Sequence, residues 1–322
     1  MQDAYGRKIE YLRISITERC NLRCQYCMPV DGASGGKEQL LRMDEILRVV
    51  QTGAKLGIRY IKVTGGEPLV RKDCVELIRG LKGIPGIEKV TLTTNGVLLK
   101  ERLQELEAAG VDGINVSLDS MDEDSYYRLT GKDCLAQVLS GIKAAASTDI
   151  PVKINCVSIK GQKDWKQILL LAKELPVDVR FIEMMPLGLG KNFETEDHRG
   201  IFQQIKERYP EIKKEQRPRG AGPAVYYYIP EFRGCVGFIS ALHGSFCESC
   251  NRVRLTADGY LKTCLSYNEG ADLAAVLRKQ GDGQEKELEK VMSEAVFSKP
   301  KKHCFENPES VTEDRLMGQI GG

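Results

Sequence analysis

The sequence predicts an α/β protein: an incomplete, open (β/α)6 TIM-like barrel followed by a smaller C-terminal α+β region. Three observations predict it. Short β-branched runs alternate with longer amphipathic ones from Tyr11 to Met185, the pattern of repeated βα units around a parallel sheet. The strand-like runs number six, where a closed barrel needs eight. Beyond residues 217–223, Arg-Pro-Arg-Gly-Ala-Gly-Pro, the apolar segments shorten and the alternation stops.

In order, the strand segments are 11–17, 60–64, 89–94, 113–118, 152–158 and 178–183, and helical patterns fill 43–56, 73–81, 100–109, 135–146, 165–175 and 195–209. Gly110 and Gly131 mark turns near element ends. Each strand runs into polar or glycine-rich residues: Gly65-Gly66-Glu67-Pro68, Asn95-Gly96, Asp119-Ser120, Gly161 and Pro186-Leu187-Gly188. Functional groups of βα barrels gather at that carboxyl rim. Later come shorter β-like pieces at 224–229, 235–240, 252–256 and 260–263, helical segments at 272–279 and 284–297, and a polar tail ending Gly321-Gly322. A division into residues 1–218 and 219–322 follows.

A chain of 322 residues with 42% hydrophobic and 29% charged residues has an ordinary globular composition. It contains no apolar run of the roughly 20 residues that a membrane span requires, and Met1–Glu10 has no signal-peptide core, so a cytoplasmic protein without a membrane partner is expected. Lys and Arg number 47 against 45 Asp and Glu, a net charge of +2. No broad attraction to nucleic acid follows, and an anionic substrate must be met by a local cluster; Lys299–Lys302 is read as a solvated turn.

Eleven cysteines in a cytosolic chain are not a disulfide framework. Cys74, Cys134, Cys156, Cys235 and Cys304 stand alone, as small buried hydrophobes do. The other six form two groups. Cys20-x3-Cys24-x2-Cys27 follows the first strand, on the loop at the barrel mouth. Three thiolates this close can each hold one iron of a four-iron cluster and leave the fourth iron open for a ligand. A structural zinc would want four ligands, and His198 is far off in sequence. Cys247-x2-Cys250-x13-Cys264 offers a second cluster, or a zinc ribbon with His243 as fourth ligand. Arg252 and Arg254 alternate beside it on a strand and so share a face. Two guanidiniums on one face suit a polyphosphate, although such a pair on an exposed strand is ordinarily solvated surface.

The first cysteine spacing, with Tyr26 before the third cysteine and Gly65-Gly66-Glu67-Pro68 after the second strand, resembles the radical S-adenosylmethionine superfamily. That resemblance implies that the amino and carboxylate groups of S-adenosylmethionine chelate the open iron, that cluster reduction yields a 5′-deoxyadenosyl radical, and that Tyr26, Gly66, Ser117 and Met185 contact the cofactor. The glycines are expected to let backbone approach the methionine amine. Over nearly its whole length the chain also resembles the molybdenum cofactor biosynthesis protein A family, on Leu12-Arg13-Ile-Ser-Ile-Thr-Glu-Arg-Cys20-Asn, Thr93-Thr94-Asn95-Gly96, Asn115-Val-Ser117-Leu-Asp119, Val152-Lys153-Ile-Asn155, Arg180-Phe-Ile-Glu183, Ser245-Phe-Cys247-x2-Cys250-Asn-Arg252-Val-Arg254-Leu and the final Ile-Gly-Gly.

This second resemblance implies two 4Fe-4S clusters at opposite ends of the barrel and 3′,8-cyclisation of GTP, a lyase reaction. GTP contacts would be Arg13, Lys62, Thr93, Lys153, Arg252, Val253 and Arg254; catalytic residues would be Arg13, Arg252, Arg254, Gly321 and Gly322, with the tail inside the active site. Expected partners are an electron donor, a downstream cyclic pyranopterin monophosphate synthase and a second copy of the chain in a homodimer. Two rivals remain at this stage: a peptide-modifying maturase of the same superfamily, and a zinc-ribbon binding module on a barrel.

Overall fold

In the computed structural model, which describes residues 1–29, 40–162 and 164–321, six strands lie side by side in chain order. They are β1 (Tyr11–Ser15), β2 (Tyr60–Thr64), β3 (Lys89–Thr94), β4 (Ile114–Ser117), β5 (Val152–Ser158) and β6 (Val177–Glu183), each parallel to the next. Helices α1 (Met43–Lys55), α2 (Cys74–Lys82), α3 (Leu99–Ala108), α4 (Glu123–Thr130), α5 (Leu135–Ala145), α6 (Trp165–Glu174) and α7 (His198–Arg208) make the crossovers and follow β6. The predicted strands and helices are all present. Helix α4 was not foreseen, because its polar segment shows only a weak apolar period. Its ends hold it: Asp122 Oδ1 accepts the Ser125 N–H at 2.9 Å, and Gly131 closes it with φ of 69°, a left-handed turn that suits glycine.

Period-two alternation sorts each strand. Leu12 and Ile14 of β1 are solvent-free in the apolar core, so Arg13 points to the opposite, inner face. The same parity turns Lys62, Thr93, Asn115, Lys153 and Arg180 inward, and the register aligns Arg13 with Lys62, Thr93 with Asn115, and Asn115 with Lys153. Apolar strand faces pack outward on the helices in one continuous core.

The barrel does not close. Instead the later strands, β7 (Lys213–Lys214), β8 (Val225–Tyr228), β9 (Val236–Ile239), β10 (Arg252–Leu255), β11 (Tyr260–Lys262) and β12 (Gly270–Asp272), extend the same sheet on both flanks. Its order is β12-β11-β10-β1-β2-β3-β4-β5-β6-β9-β8-β7. β10 is parallel to β1 and β9 is parallel to β6. Helices α8 (Leu273–Leu277), α9 (Gln284–Phe297) and α10 (Met317–Ile320) complete the chain. Among the described residues no helix is long and apolar enough to cross a membrane.

Candidate active site

The first cysteine group sits on the loop after β1, at the carboxyl end of the strands. Local bonds shape that loop. The Cys27 and Met28 N–H groups donate to the Cys24 carbonyl at 2.9 and 3.0 Å, and the loop is pinned by Arg23 N–H to Thr130 and Gln25 N–H to Leu129 carbonyls at 2.7 and 2.9 Å. Arg23 Nη1 donates to the Cys20 carbonyl at 2.7 Å. The glycines after β2 serve this loop. A Cβ on Gly66 would stand 2.5 Å from the Arg19 carbonyl oxygen, and one on Gly65 2.7 Å from that of Thr17. The close approach these glycines permit is therefore to the cysteine loop's own backbone.

Burial first, then neighbouring negative groups, pushes the thiols up. Cys24 rises well above the ordinary value beside Cys27 and Asp119, and Cys27 is pushed up to about 12 by burial, Cys20 and Asp119. Three half-buried thiols with Glu67 acting on Cys20 and Asp119 on Cys24 and Cys27 cannot all ionise without positive charge among them, and a cluster of iron ions supplies that charge. The donor set fits. Among the described residues no group of His, Cys, Asp and Glu is arranged to hold a single metal ion, whereas the ligands of a cluster each take a separate iron.

Other predicted cofactor residues ring the same rim. Tyr26 Oη donates to Asp119 Oδ2 at 2.5 Å, and Asp119 Oδ1 accepts the Val157 N–H at 2.7 Å, so Tyr26 is tied to the end of β4. Ser117 is the half-buried last residue of β4, and Met185 lies two residues past β6, its carbonyl accepting the Leu187 N–H at 2.8 Å.

Below the rim the barrel holds a partly open cavity of about 560 Å³, lined by Arg13, Lys62, Thr93, Lys153 and Arg252 from the predicted set, though not by Val253 or Arg254, and by Asn115, Asp178, Arg180 and Arg219 besides. That size suits one small ligand. Its charge is concentrated. Burial, then Arg180, Arg13, Lys153 and Arg252, drives the Lys62 ammonium well below its usual pKa; burial chiefly lowers Arg13 to about 10. Lys153 is held 3.7 Å from Asp178, and its ammonium donates to Tyr226 Oη at 3.1 Å. Arg180 donates to Asn115 and Asn155 side-chain oxygens. Val253 differs from its neighbours: its side chain is 1% exposed in the apolar core, so only its backbone can meet a ligand.

Asn115, Asn155 and Arg180 stood out in the sequence as motif residues without a role in the site, and Arg219 was not singled out. The signal available for three of them was strand parity, since Arg180, Asn115 and Asn155 occupy inward positions; Arg219 arrives from an irregular loop.

The second cysteine group is at the opposite end. Cys250 immediately precedes Asn251 and β10, which runs parallel to β1, whereas Cys20 lies beyond the end of β1. The antiparallel β10–β11 register, Arg254 with Lys262, continued by two residues returns Cys264 to the level of Arg252. Arg7 clamps the site, donating to the Cys247, Lys301 and Pro300 carbonyls at 2.8, 2.8 and 2.6 Å. Here cations outweigh burial. Burial raises Cys250, but Lys299 and Arg252 bring it below the ordinary thiol value; burial likewise raises Cys247, but the neighbouring His303 and Ser245 bring it to about 7. Thiolates favoured in this way are ready metal ligands. His243, the candidate fourth zinc ligand, instead bonds Glu183 at the carboxyl end of β6, Nδ1 to Oε1 at 2.8 Å.

The tail threads between the two ends. Gly318 N–H bonds the Cys27 sulfur, and a Cβ on Gly318 would stand 2.8 Å from Met28 Cε. Arg254 Nη1 donates to the Gly321 carbonyl at 2.5 Å. At Gly321, φ is 79° and a Cβ would meet Thr64 at 2.8 Å, so glycine is required there on both counts. Gly322 lies outside the described residues.

A three-cysteine loop at the carboxyl rim of an open parallel barrel defines a radical S-adenosylmethionine protein, and the family model described as the Radical SAM superfamily matches residues 14–198. A second, Molybdenum Cofactor Synthesis C, matches residues 177–305. The chain belongs to the GTP 3′,8-cyclase family. It is 41% identical to the GTP 3′,8-cyclase of Clostridium perfringens (strain 13 / Type A) and 42% identical to that of Pelotomaculum thermopropionicum, each alignment covering 100% of both chains. Among solved structures, Streptococcus suis SuiB bound to S-adenosylmethionine shares the fold with a TM-score of 0.67 at 14% identity, over 91% of this chain and 67% of that one.

Proposed function

We propose that the chain converts GTP to (8S)-3′,8-cyclo-7,8-dihydroguanosine 5′-triphosphate in molybdenum cofactor biosynthesis, as a radical S-adenosylmethionine lyase with two 4Fe-4S clusters. One observation carries the reading: a cation-rich cavity of about 560 Å³ lies between two three-cysteine groups at opposite ends of one barrel. Cys20, Cys24 and Cys27 hold the first cluster, and Cys247, Cys250 and Cys264 the second. When bound, the first cluster and S-adenosylmethionine would supply the primary carbon radical that removes hydrogen from C3′ of GTP, and closure of the C3′–C8 bond would then take one electron from the reduced donor and one proton to give the 7,8-dihydro product.

The chain's own residues do the rest. Tyr26, Gly66, Ser117 and Met185 hold S-adenosylmethionine at the rim. Arg13, Lys62, Lys153 and Arg252 offset the triphosphate charge, with Thr93 and the Val253 backbone completing the contacts and Arg180 added to the set. A triphosphate relieves the repulsion that depresses Lys62, so substrate and cavity neutralise one another. Arg254, bonded to Gly321, links the tail to Arg13 and Arg252, and enclosure keeps solvent and stray C–H bonds from the radical.

We further assign residues 1–218 to the barrel and first cluster and 219–322 to the second cluster and tail. A cytoplasmic homodimer that takes electrons from a reduced donor and passes its product to cyclic pyranopterin monophosphate synthase fits the family. The test is anaerobic turnover: reduced, reconstituted protein with S-adenosylmethionine should consume GTP in preference to ATP and release the 3′,8-cyclised nucleotide with methionine and 5′-deoxyadenosine. Cofactor cleavage with no nucleotide product would return the chain to the other enzymes of its superfamily.

A further inference from the structure

The second cysteine group has a neighbour that the sequence did not attach to it. His303 lies against Cys247, its backbone N–H donating to Cys247 Sγ at 3.4 Å. The imidazole is 6% exposed and stacks on Phe305 with centroids 4.6 Å apart and planes at 27°. The Phe305 N–H donates to His303 Nδ1 at 3.3 Å. A neutral ring that accepts at Nδ1 carries its proton on Nε2. That Nε2 is buried with no hydrogen-bond partner among the described residues.

A buried donor without an acceptor is destabilising, so such a group in a packed site points to a missing acceptor. Cys247 first, and the Ala241 backbone after it, raise the ring's proton affinity, but neither stands in hydrogen-bond geometry with Nε2. Two restraints, the Phe305 stack and the Nδ1 bond, fix the ring.

We propose that His303 is a positioning residue of the second cluster, presenting Nε2–H to one of its sulfurs and thereby raising its reduction potential. The proposal rests on the reading that Cys247, Cys250 and Cys264 hold that cluster. A hydrogen bond to a cluster sulfur withdraws electron density and favours the reduced state. Lys299 and Arg252 act on Cys250 chiefly by charge, whereas His303 offers a proton on a ring of fixed orientation.

The experiment is an anaerobic redox titration, followed by electron paramagnetic resonance, of full-length holoprotein as wild type, His303→Phe and His303→Gln. Phe keeps the stacked ring and removes the donor; Gln returns an N–H. In the Phe variant the second cluster should become about tenfold harder to reduce, a downward shift of about 59 mV for one electron. Gln should restore most of it, and the first cluster should not move in either variant. An unshifted second potential in a Phe variant with about eight irons per chain overturns the proposal. Should that variant lose the second cluster's irons, wild-type protein labelled with 15N-histidine decides instead. A histidine nitrogen and an exchangeable proton coupled to the reduced second cluster support the role, and their absence overturns it. Iron analysis of the wild type separates the two failures, since about four irons per chain would remove the second-cluster reading itself.

Discussion

Lys62→Met tests the charge logic of the cavity through two effects of opposite sign. Lys62 is half-buried on the cavity wall, and desolvation with Arg180, Arg13, Lys153 and Arg252 all disfavour its charge. Without GTP it is a liability, because the unfolded chain holds the proton up to about pH 10.4 while the folded protein yields it earlier. The penalty is full below the folded pKa, shrinks as pH rises above it and is gone by about pH 10.4. Methionine has a similar length and no charge, so the substrate-free protein should be stabilised, by the 1–4 kcal/mol or so found when buried ionic groups give way to apolar ones. Roughly 2 °C in Tm accompanies each kcal/mol in a chain of this size. The same change removes a charge-assisted contact to the triphosphate, worth about 1.5–3 kcal/mol, or roughly 10- to 150-fold in Kd. The assays are anaerobic calorimetry with GTP and thermal unfolding of the reconstituted protein at pH 7 and 9. Weaker GTP binding with a higher Tm, the gain smaller at pH 9, is the expected pair. Unchanged GTP affinity, or a Tm gain that grows with pH, would refute the reasoning.

Cys24→Ala should remove about four irons and abolish S-adenosylmethionine cleavage, whereas Cys250→Ala should spare both first-cluster irons and cleavage; one zinc beside four irons in the wild type would contradict this. Deleting Gly321 and Gly322 removes the acceptor of Arg254 and should leave iron content and GTP affinity nearly unchanged while largely stopping cyclised-nucleotide formation, and wild-type turnover by the truncated chain would show the tail to be dispensable. Gly66→Ala places a methyl 2.5 Å from the Arg19 carbonyl, so it should impair first-cluster assembly by displacing the loop, read as lost iron at that site; full iron occupancy would show that the loop yields.

The barrel was legible because period-two alternation and glycine-rich strand ends are local signals, and all six strands fall where they were predicted. Helix α4 was not, since its stability lies in an Asp122 cap and a left-handed Gly131 rather than in an apolar stripe. Both cysteine groups were visible from spacing alone. Residues such as His303 and Arg219 were hidden, because each reaches the site from an irregular segment whose position depends on tertiary packing. Gly66 was read from the sequence as a cofactor contact, and the structure adds a second demand for glycine there, the Arg19 carbonyl 2.5 Å from any Cβ, which no spacing rule exposes.

The sheet order explains why the C-terminal region cannot be an appendage to this chemistry. An open six-stranded barrel leaves the outer edges of β1 and β6 unpaired, a template for wrong association. β10 and β9 cover those edges in parallel, and the covering strand β10 also carries function: its inward residues are Arg252 and Arg254, in register with Tyr11 and Arg13. One strand thus closes the edge, supplies Arg252 to the cavity and leads out of Cys250. Because β10 and β1 share a direction, a cysteine group before the one and a cysteine group after the other must lie at opposite ends of the barrel. The separation of the two cysteine groups is a consequence of that parallel pairing.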